Sequence, residues 1–107
     1  MKLENITKNG FEIPNKNSEK VSEYLQNDAM VIDVRTPAEF EDGHVEGSVN
    51  IPLDTIANSI EDIKNYNKQI ITCCRSGARS GNAANILNNN GIDTINGGPW
   101  QNVAQYV

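Results

Sequence analysis

At 107 residues and 37% hydrophobic content the chain has the material for one compact core, and with 21% charged residues it is no disordered polyelectrolyte. A net charge of −5 and a pI near 4.7 weigh against nonspecific partners such as nucleic acid or acidic membrane surfaces. The two cysteines are neighbours and cannot staple distant segments, and with a single histidine they do not match zinc-ligand spacing, so neither a disulfide framework nor a metal site is expected.

The opening MKLENITKNG lacks the apolar core of a signal peptide, and no run approaches a membrane span. A cytoplasmic setting, where thiols stay reduced, is the expectation. Residues 1–17 are polar, carry Gly10 and Pro14, and read as an extended arm ahead of one domain over residues 18–107. Val21, Tyr24 and Leu25 recur at helical spacing over residues 18–26, with Ser18 as candidate cap.

Residues 29–34, AMVIDV, form the short apolar run expected of a strand buried on both faces. Thr36, Pro37 and Glu39 then spell a capping box with proline in the first turn, opening a brief helix to about Asp42. Gly43 and Gly47 mark turns around His44, and residues 48–51 make a short strand closed by Pro52. Asp54 or Thr55 caps a predicted helix whose Ile56, Ile60 and Ile63 share one face. Residues 69–73 are a second buried-type strand, residues 80–90 a helix stopped by Gly91, residues 92–95 a last strand and residues 99–106 a last helix. Alternating strands and helices predict an α/β fold of three layers, a mainly parallel central sheet flanked by helices. Ligands of such sheets bind beyond the carboxyl ends of the strands.

Residues 70–80, IITCCRSGARS, place two cysteines at that end of a strand, ahead of a glycine-containing loop and a helix start. A thiol there meets aligned backbone N–H groups and the positive end of a helix dipole, both of which favour the nucleophilic thiolate. With Cys74 as nucleophile the loop is Arg75, Ser76, Gly77, Ala78 and Arg79, with Ser80 opening the helix. Gly77 permits the positive φ that curls N–H groups toward one centre. Ser76 adds a hydroxyl, and Arg75 and Arg79 can fork onto an oxyanion. Arg75 and Arg79 lie in this loop and Arg35 lies just past the 29–34 strand, a second segment expected to line the same site, a pattern that suits a small anion.

A register shifted by one also exists. Cys73 to Arg79 satisfies C-x5-R-S, the loop pattern of cysteine-dependent phosphatases, although residue 72 is Thr rather than His. Neighbouring strand residues point to opposite faces, so only one cysteine can face the loop.

The flanking segments resemble those of the rhodanese-like family. VIDVRTPAEF over residues 31–40 is similar to its hhDVRxxxEF signature, GHVEGSVNIP over 43–52 to its GHIxGAxNIP segment, CRSGARS over 74–80 to its active-site loop, and Gly97, Gly98 and Trp100 to its C-terminal GG…W element. The four stand in the family's order. The resemblance implies a single-domain, monomeric thiosulfate sulfurtransferase that needs no cofactor, with Cys74 carrying sulfane sulfur as a persulfide. It implies a small anionic donor such as thiosulfate and a thiol or cyanide acceptor, bound by the loop residues Arg75 to Ser80. The six-residue loop is the family's sulfurtransferase length, one shorter than in its phosphatase relatives, and aligns the nucleophile on Cys74. A cysteine-dependent phosphatase or arsenate reductase using Cys73, and a noncatalytic module that binds partners or senses redox state, are the alternatives.

The resemblance also places Asp33 and Arg35 beside the loop, where a paired structural role is expected of the buried carboxylate and added positive potential of the arginine. Cys73 stands where the family often has Tyr, and a core-facing role is expected for it. His44 is expected to order its turn rather than act as a base.

Overall fold

The computed structural model describes residues 16–107. Residues 1–15 of the expected arm lie outside the described residues, and the arm's last two residues already belong to α1 (Lys16–Gln26). Ser18, the expected cap, therefore sits inside that helix. The chain continues through β1 (Met30–Asp33), α2 (Pro37–Glu41), β2 (Val49–Asn50), a 3-10 stretch (Leu53–Ser59), α3 (Ile60–Tyr66), β3 (Ile70–Cys74), α4 (Ala78–Asn89), β4 (Thr94–Pro99) and α5 (Trp100–Ala104).

The four strands pair in the order β2-β1-β3-β4, every pair parallel. All five residues of β3 are buried, as befits a central strand covered on both faces, and its one polar side chain, Thr72, is hydrogen-bonded to the Ser80 carbonyl. Side chains alternate across the sheet. Ile70 and Cys74 join Ile32, Val34, Ile56, Ile63, Ala83 and Leu87 in the core beneath α3 and α4. Ile71 and Cys73 join Val21, Val31, Val45 and Val103 in the core beneath α1 and α5. Each large aliphatic side chain buried in this way contributes about 1.5–3 kcal/mol. The result is a three-layer α/β sandwich with two cores and the end of β3 at its centre.

Three boundaries differ from the sequence expectation, each for a local reason. Neither Asp54 nor Thr55 caps a helix. The Thr55 hydroxyl donates back to the Pro52 carbonyl (2.9 Å), and the chain coils as a 3-10 stretch before α3 begins. Ile56 and Ile63 are nonetheless buried and Ile60 packs at the core edge. α4 begins at Ala78, two residues before the expected Ser80, because Gly77 takes a left-handed conformation (φ 103°) at its N-cap and turns the chain there. The last strand runs through the glycine pair rather than ending at Ile95. Thr72 pairs with Asn96 and Cys74 with Pro99, so β4 holds one extra residue, a bulge, beside the cysteine. A Cβ on Gly97 would lie 2.7 Å from Val103 Cγ2, 2.8 Å from Ile71 Cγ2 and 2.9 Å from the Thr72 carbonyl, so only glycine fits.

Candidate active site

Cys74 ends β3, and the next three residues turn the chain into α4. The helix aims its N-terminus back at the sulfur. The N–H of Gly77 donates to Cys74 Sγ at 3.0 Å and that of Ser80 at 3.4 Å, while the Ser80 hydroxyl lies 3.3 Å from it. Burial, the largest single influence, opposes ionisation of this thiol. The Ser80 hydroxyl and the backbone N–H groups of Ser80, Gly77 and Ser76 together outweigh it and hold the pKa below the ordinary cysteine value. Cys74 has no exposed surface, whereas Arg75, Ser76 and Ala78 of the loop above it are exposed.

Cys73 is in the opposite situation. Its side chain points into the α1/α5 core, away from the loop. Burial drives its pKa up strongly, the nearby charge of Asp33 adds to that, and Arg35 only partly offsets it. The adjacent thiols thus occupy different cores and are pushed in opposite directions.

The loop is buttressed by two ion pairs. Asp33, fully buried, accepts from Arg35 Nε at 2.9 Å on Oδ1, from Nη2 at 2.7 Å on Oδ2, and from the Arg35 backbone N–H at 3.0 Å. Arg35 also donates to the Gly43 carbonyl (2.7 Å), and its guanidinium lies 5.1 Å from the centroid of the Trp100 ring. Its charge is compensated, so it works as a tie between β1, the Gly43 turn and α5. The side-chain amide of Asn50 holds the Asp33 and Arg35 carbonyls from β2 (3.0 and 2.9 Å).

Arg79 was expected to fork onto an anion, and the structure gives its fork to Glu39 instead. Nη1 donates to Oε1 at 2.8 Å and Nη2 to Oε2 at 3.0 Å. Glu39, the third residue of α2, at the same time closes its capping box, accepting from the Thr36 N–H at 3.0 Å while the Thr36 hydroxyl caps Glu39 N–H. Of the three arginines only Arg75 makes no ion pair among the described residues. It lines an open cavity of about 270 Å³ with Arg35, Gly43, Trp100 and Gln101, whose remaining lining, Glu39 and Asp42, is acidic.

His44 stacks on Phe40 with ring centroids 3.7 Å apart, and its Nδ1 donates to the Phe40 carbonyl at 2.7 Å. That commits the ring to its own turn. Asn96, which the sequence reading passed over, joins the loop to the glycine pair by accepting from Ser80 Oγ (2.6 Å) and Gly98 N–H (2.9 Å) and donating to the Gly77 carbonyl (3.0 Å). Its position directly before Gly97-Gly98 was the one available signal. Among the described residues no three His, Cys, Asp or Glu side chains converge to hold a metal ion, and no helix is long and apolar enough to cross a membrane.

A parallel sheet between two helical layers, with a thiol at the end of a central strand cradled by the following helix, defines the α/β class of this domain. Residues 17–100 match the family profile of the rhodanese-like domain, and the chain belongs to that family. It is 42% identical over 67 residues to the uncharacterized protein YqhL of Bacillus subtilis, covering 63% of this chain and 52% of that protein. It is 30% identical over 107 residues to the tRNA uridine(34) hydroxylase of Citrobacter koseri, covering 86% of this chain and 31% of that one. The chain thus spans about half the length of the first relative and about a third of the second. Among solved structures, a rhodanese with anions from Escherichia coli superposes with a TM-score of 0.64 at 32% identity, over 71% of this chain and 92% of that one.

Proposed function

We propose that this domain is a sulfurtransferase that carries sulfane sulfur as a persulfide on Cys74, taking it from thiosulfate or a similar anionic donor and passing it to a thiol or cyanide. The observation that carries the reading is the donation of Gly77 N–H and Ser80 N–H to Cys74 Sγ, which favours thiolate in a buried setting.

In the loading step the Cys74 thiolate attacks the sulfane sulfur of thiosulfate. A new sulfur–sulfur bond forms at Cys74, the donor's own sulfur–sulfur bond breaks, and sulfite leaves with its electron pair. In the second step the acceptor attacks the outer sulfur, and Cys74 departs as thiolate, ready for another cycle. The negative charge moves from Sγ to the outer sulfur and back. The first N–H groups of α4, at Ala78 and Arg79, have no acceptor within the helix and point their dipole toward that charge. Arg75, exposed beside Cys74 in the chain and without an ion pair among the described residues, draws the anion to the loop, and Arg79 positions the loop through Glu39. Because Cys74 has no exposed surface, the exposed loop residues give way to admit the donor.

The hydroxylase relatives act on tRNA by name, but the net charge of −5 here works against direct binding of nucleic acid, so a small acceptor in a reducing, cytoplasmic setting is the reading adopted. Intact-mass measurement after thiosulfate treatment tests it. Gain of one sulfur, retained by Cys73→Ser and lost by Cys74→Ser, is expected. No adduct in the native protein would leave a binding module, and aryl phosphate hydrolysis dependent on Cys73 would replace the reading with a phosphatase.

A further inference from the structure

The hydrogen bonds around Asn96 determine where the hydrogen of Ser80 resides. A backbone N–H only donates and a carbonyl only accepts, so the contacts of Asn96 with Gly98 N–H and the Gly77 carbonyl fix which end of its amide is oxygen. That oxygen accepts only, and it lies 2.6 Å from Ser80 Oγ. The single hydrogen of the Ser80 hydroxyl is therefore spent on Asn96. Ser80 Oγ is also 3.3 Å from Cys74 Sγ, and with its own hydrogen committed it can only accept there, from the thiol S–H. The arrangement is that of the neutral thiol.

Ionisation reverses this contact. A thiolate has no hydrogen to give and becomes an acceptor, so a hydroxyl lone pair facing it is unfavourable, whereas a rotated O–H would donate to it. The rotation orphans nothing, because Asn96 Oδ1 keeps the Gly98 N–H.

We propose that the Ser80 hydroxyl is a two-position switch, its hydrogen on Asn96 Oδ1 while Cys74 Sγ is uncharged and on Sγ when it is a thiolate, and that Asn96 is a positioning residue whose competition for that hydrogen sets how readily Cys74 ionises. The inference takes Cys74 as the reacting thiol of the proposed sulfurtransferase, but its readout is ionisation, which can be measured whether or not sulfur moves. In the catalytic cycle the hydrogen would follow the charge. It donates to the thiolate before attack, returns to Asn96 once the charge has moved to the outer sulfur, and swings back as the acceptor regenerates the thiolate.

The charged and titratable groups around Cys74 are otherwise engaged. Arg79 on α4 faces it but is held by Glu39 on α2, and Asp54 of the 3-10 stretch lines a groove with Arg79. The Asp33–Arg35 pair is closed on itself, Cys73 faces the other core, and Arg75 is exposed. None of them hydrogen-bonds the Ser80 hydroxyl among the described residues.

The test is a titration of thiolate absorbance in the full chain and in Asn96→Ala, Ser80→Ala and the double variant, with circular dichroism to confirm folding. Cys73, whose pKa is pushed far up, stays silent in the range where Cys74 titrates. Removing the competitor in Asn96→Ala is expected to lower the Cys74 midpoint by about one pH unit, the order of one hydrogen bond to the charged form, and Ser80→Ala to raise it by a similar amount. The double variant should match Ser80→Ala alone. A raised midpoint in Asn96→Ala, or an equal effect of Asn96→Ala with and without Ser80, would reduce Asn96 to a clamp on Gly77 and overturn the proposal. The unmutated protein supplies a second measurement. The Gly98 amide resonance should titrate with Cys74 and stop doing so in Ser80→Ala, and a resonance indifferent to Cys74 ionisation overturns the switch without any Asn96 variant.

Discussion

Arg79 and Glu39, forty residues apart in sequence, close a two-pronged ion pair that ties the first turn of α4 to the capping box of α2. One carboxylate thus finishes one helix and anchors the start of another. The thiol loop hangs between β3 and this anchor, so its shape depends on α2 as much as on its own residues.

Glu39→Gln should therefore loosen the loop as well as α2. The hydrogen bonds from Arg79 and Thr36 hold the Glu39 pKa at about 2, below its ordinary 4.5. A depressed carboxylate contributes stability that is fully present above pH 4.5 and is lost as the pH falls toward about 2. Thermal melts should show the native protein a few degrees more stable than Glu39→Gln at neutral pH, with the gap closing through that acid window. A gap independent of pH would assign the effect to packing.

The two cysteines should label very differently. Cys74 is pushed below the ordinary thiol pKa of 9.0 and Cys73 well above it. Reaction of the folded protein with a small alkylating agent should modify one thiol, at a rate that rises with pH and levels off below pH 9, with Cys74 identified by peptide mapping. Both thiols should react once the chain is unfolded. Equal labelling in the folded state would contradict their placement in separate cores.

Asp33→Ala removes the counter-charge of a buried guanidinium. Arg35 is 5% exposed and Asp33 has no exposed surface, so the variant leaves an uncompensated buried charge at a cost of about 3–5 kcal/mol. Urea unfolding measures this directly. A loss under about 1 kcal/mol would mean that Arg35 escapes to solvent, as exposed pairs allow.

Gly97→Ala inserts a methyl group into contact with Val103, Ile71 and the Thr72 carbonyl, all under 3 Å from the new Cβ. Overpacking of this kind costs about 1–3 kcal/mol, and here it also pushes β4 away from the β3 end that presents Cys74. Stability and sulfur loading should fall together, and a variant as stable as the native chain would show that the bulge is not sterically required.

Much of this molecule is written locally. The nearly continuous apolar run at 29–34 and the β-branched stretch at 69–73 marked buried strands, Thr36-Pro37-Ala38-Glu39 announced a helix start that is present to the hydrogen bond, and the strict alternation of side chains along a strand sufficed to send the two cysteines to opposite faces. These features depend on dihedral preference and periodicity, which act between near neighbours. Glycine was the main source of local error. Gly77 and the Gly97-Gly98 pair read as loop, yet one caps a helix and the other lies in a bulged strand, because Gly77 lies against Gly98 and Gly97 against Ile71, Thr72 and Val103, neighbours that sequence order does not reveal.

The thiol itself bears out the same division. The sequence by itself determined that residues 70–80 end a buried strand in a cysteine and enter a glycine turn and a helix, since each step is a matter of local chemistry. Only the tertiary structure decided what surrounds that cysteine. It gave the Arg79 fork to Glu39, left Arg75 exposed without an ion pair among the described residues, and brought Asn96 from β4 to compete for the Ser80 hydrogen. The Arg79–Glu39 and Ser80–Asn96 pairings span forty and sixteen residues along the chain, and which charges and hydroxyls are free at the thiol follows from pairings at that range, which no local propensity encodes.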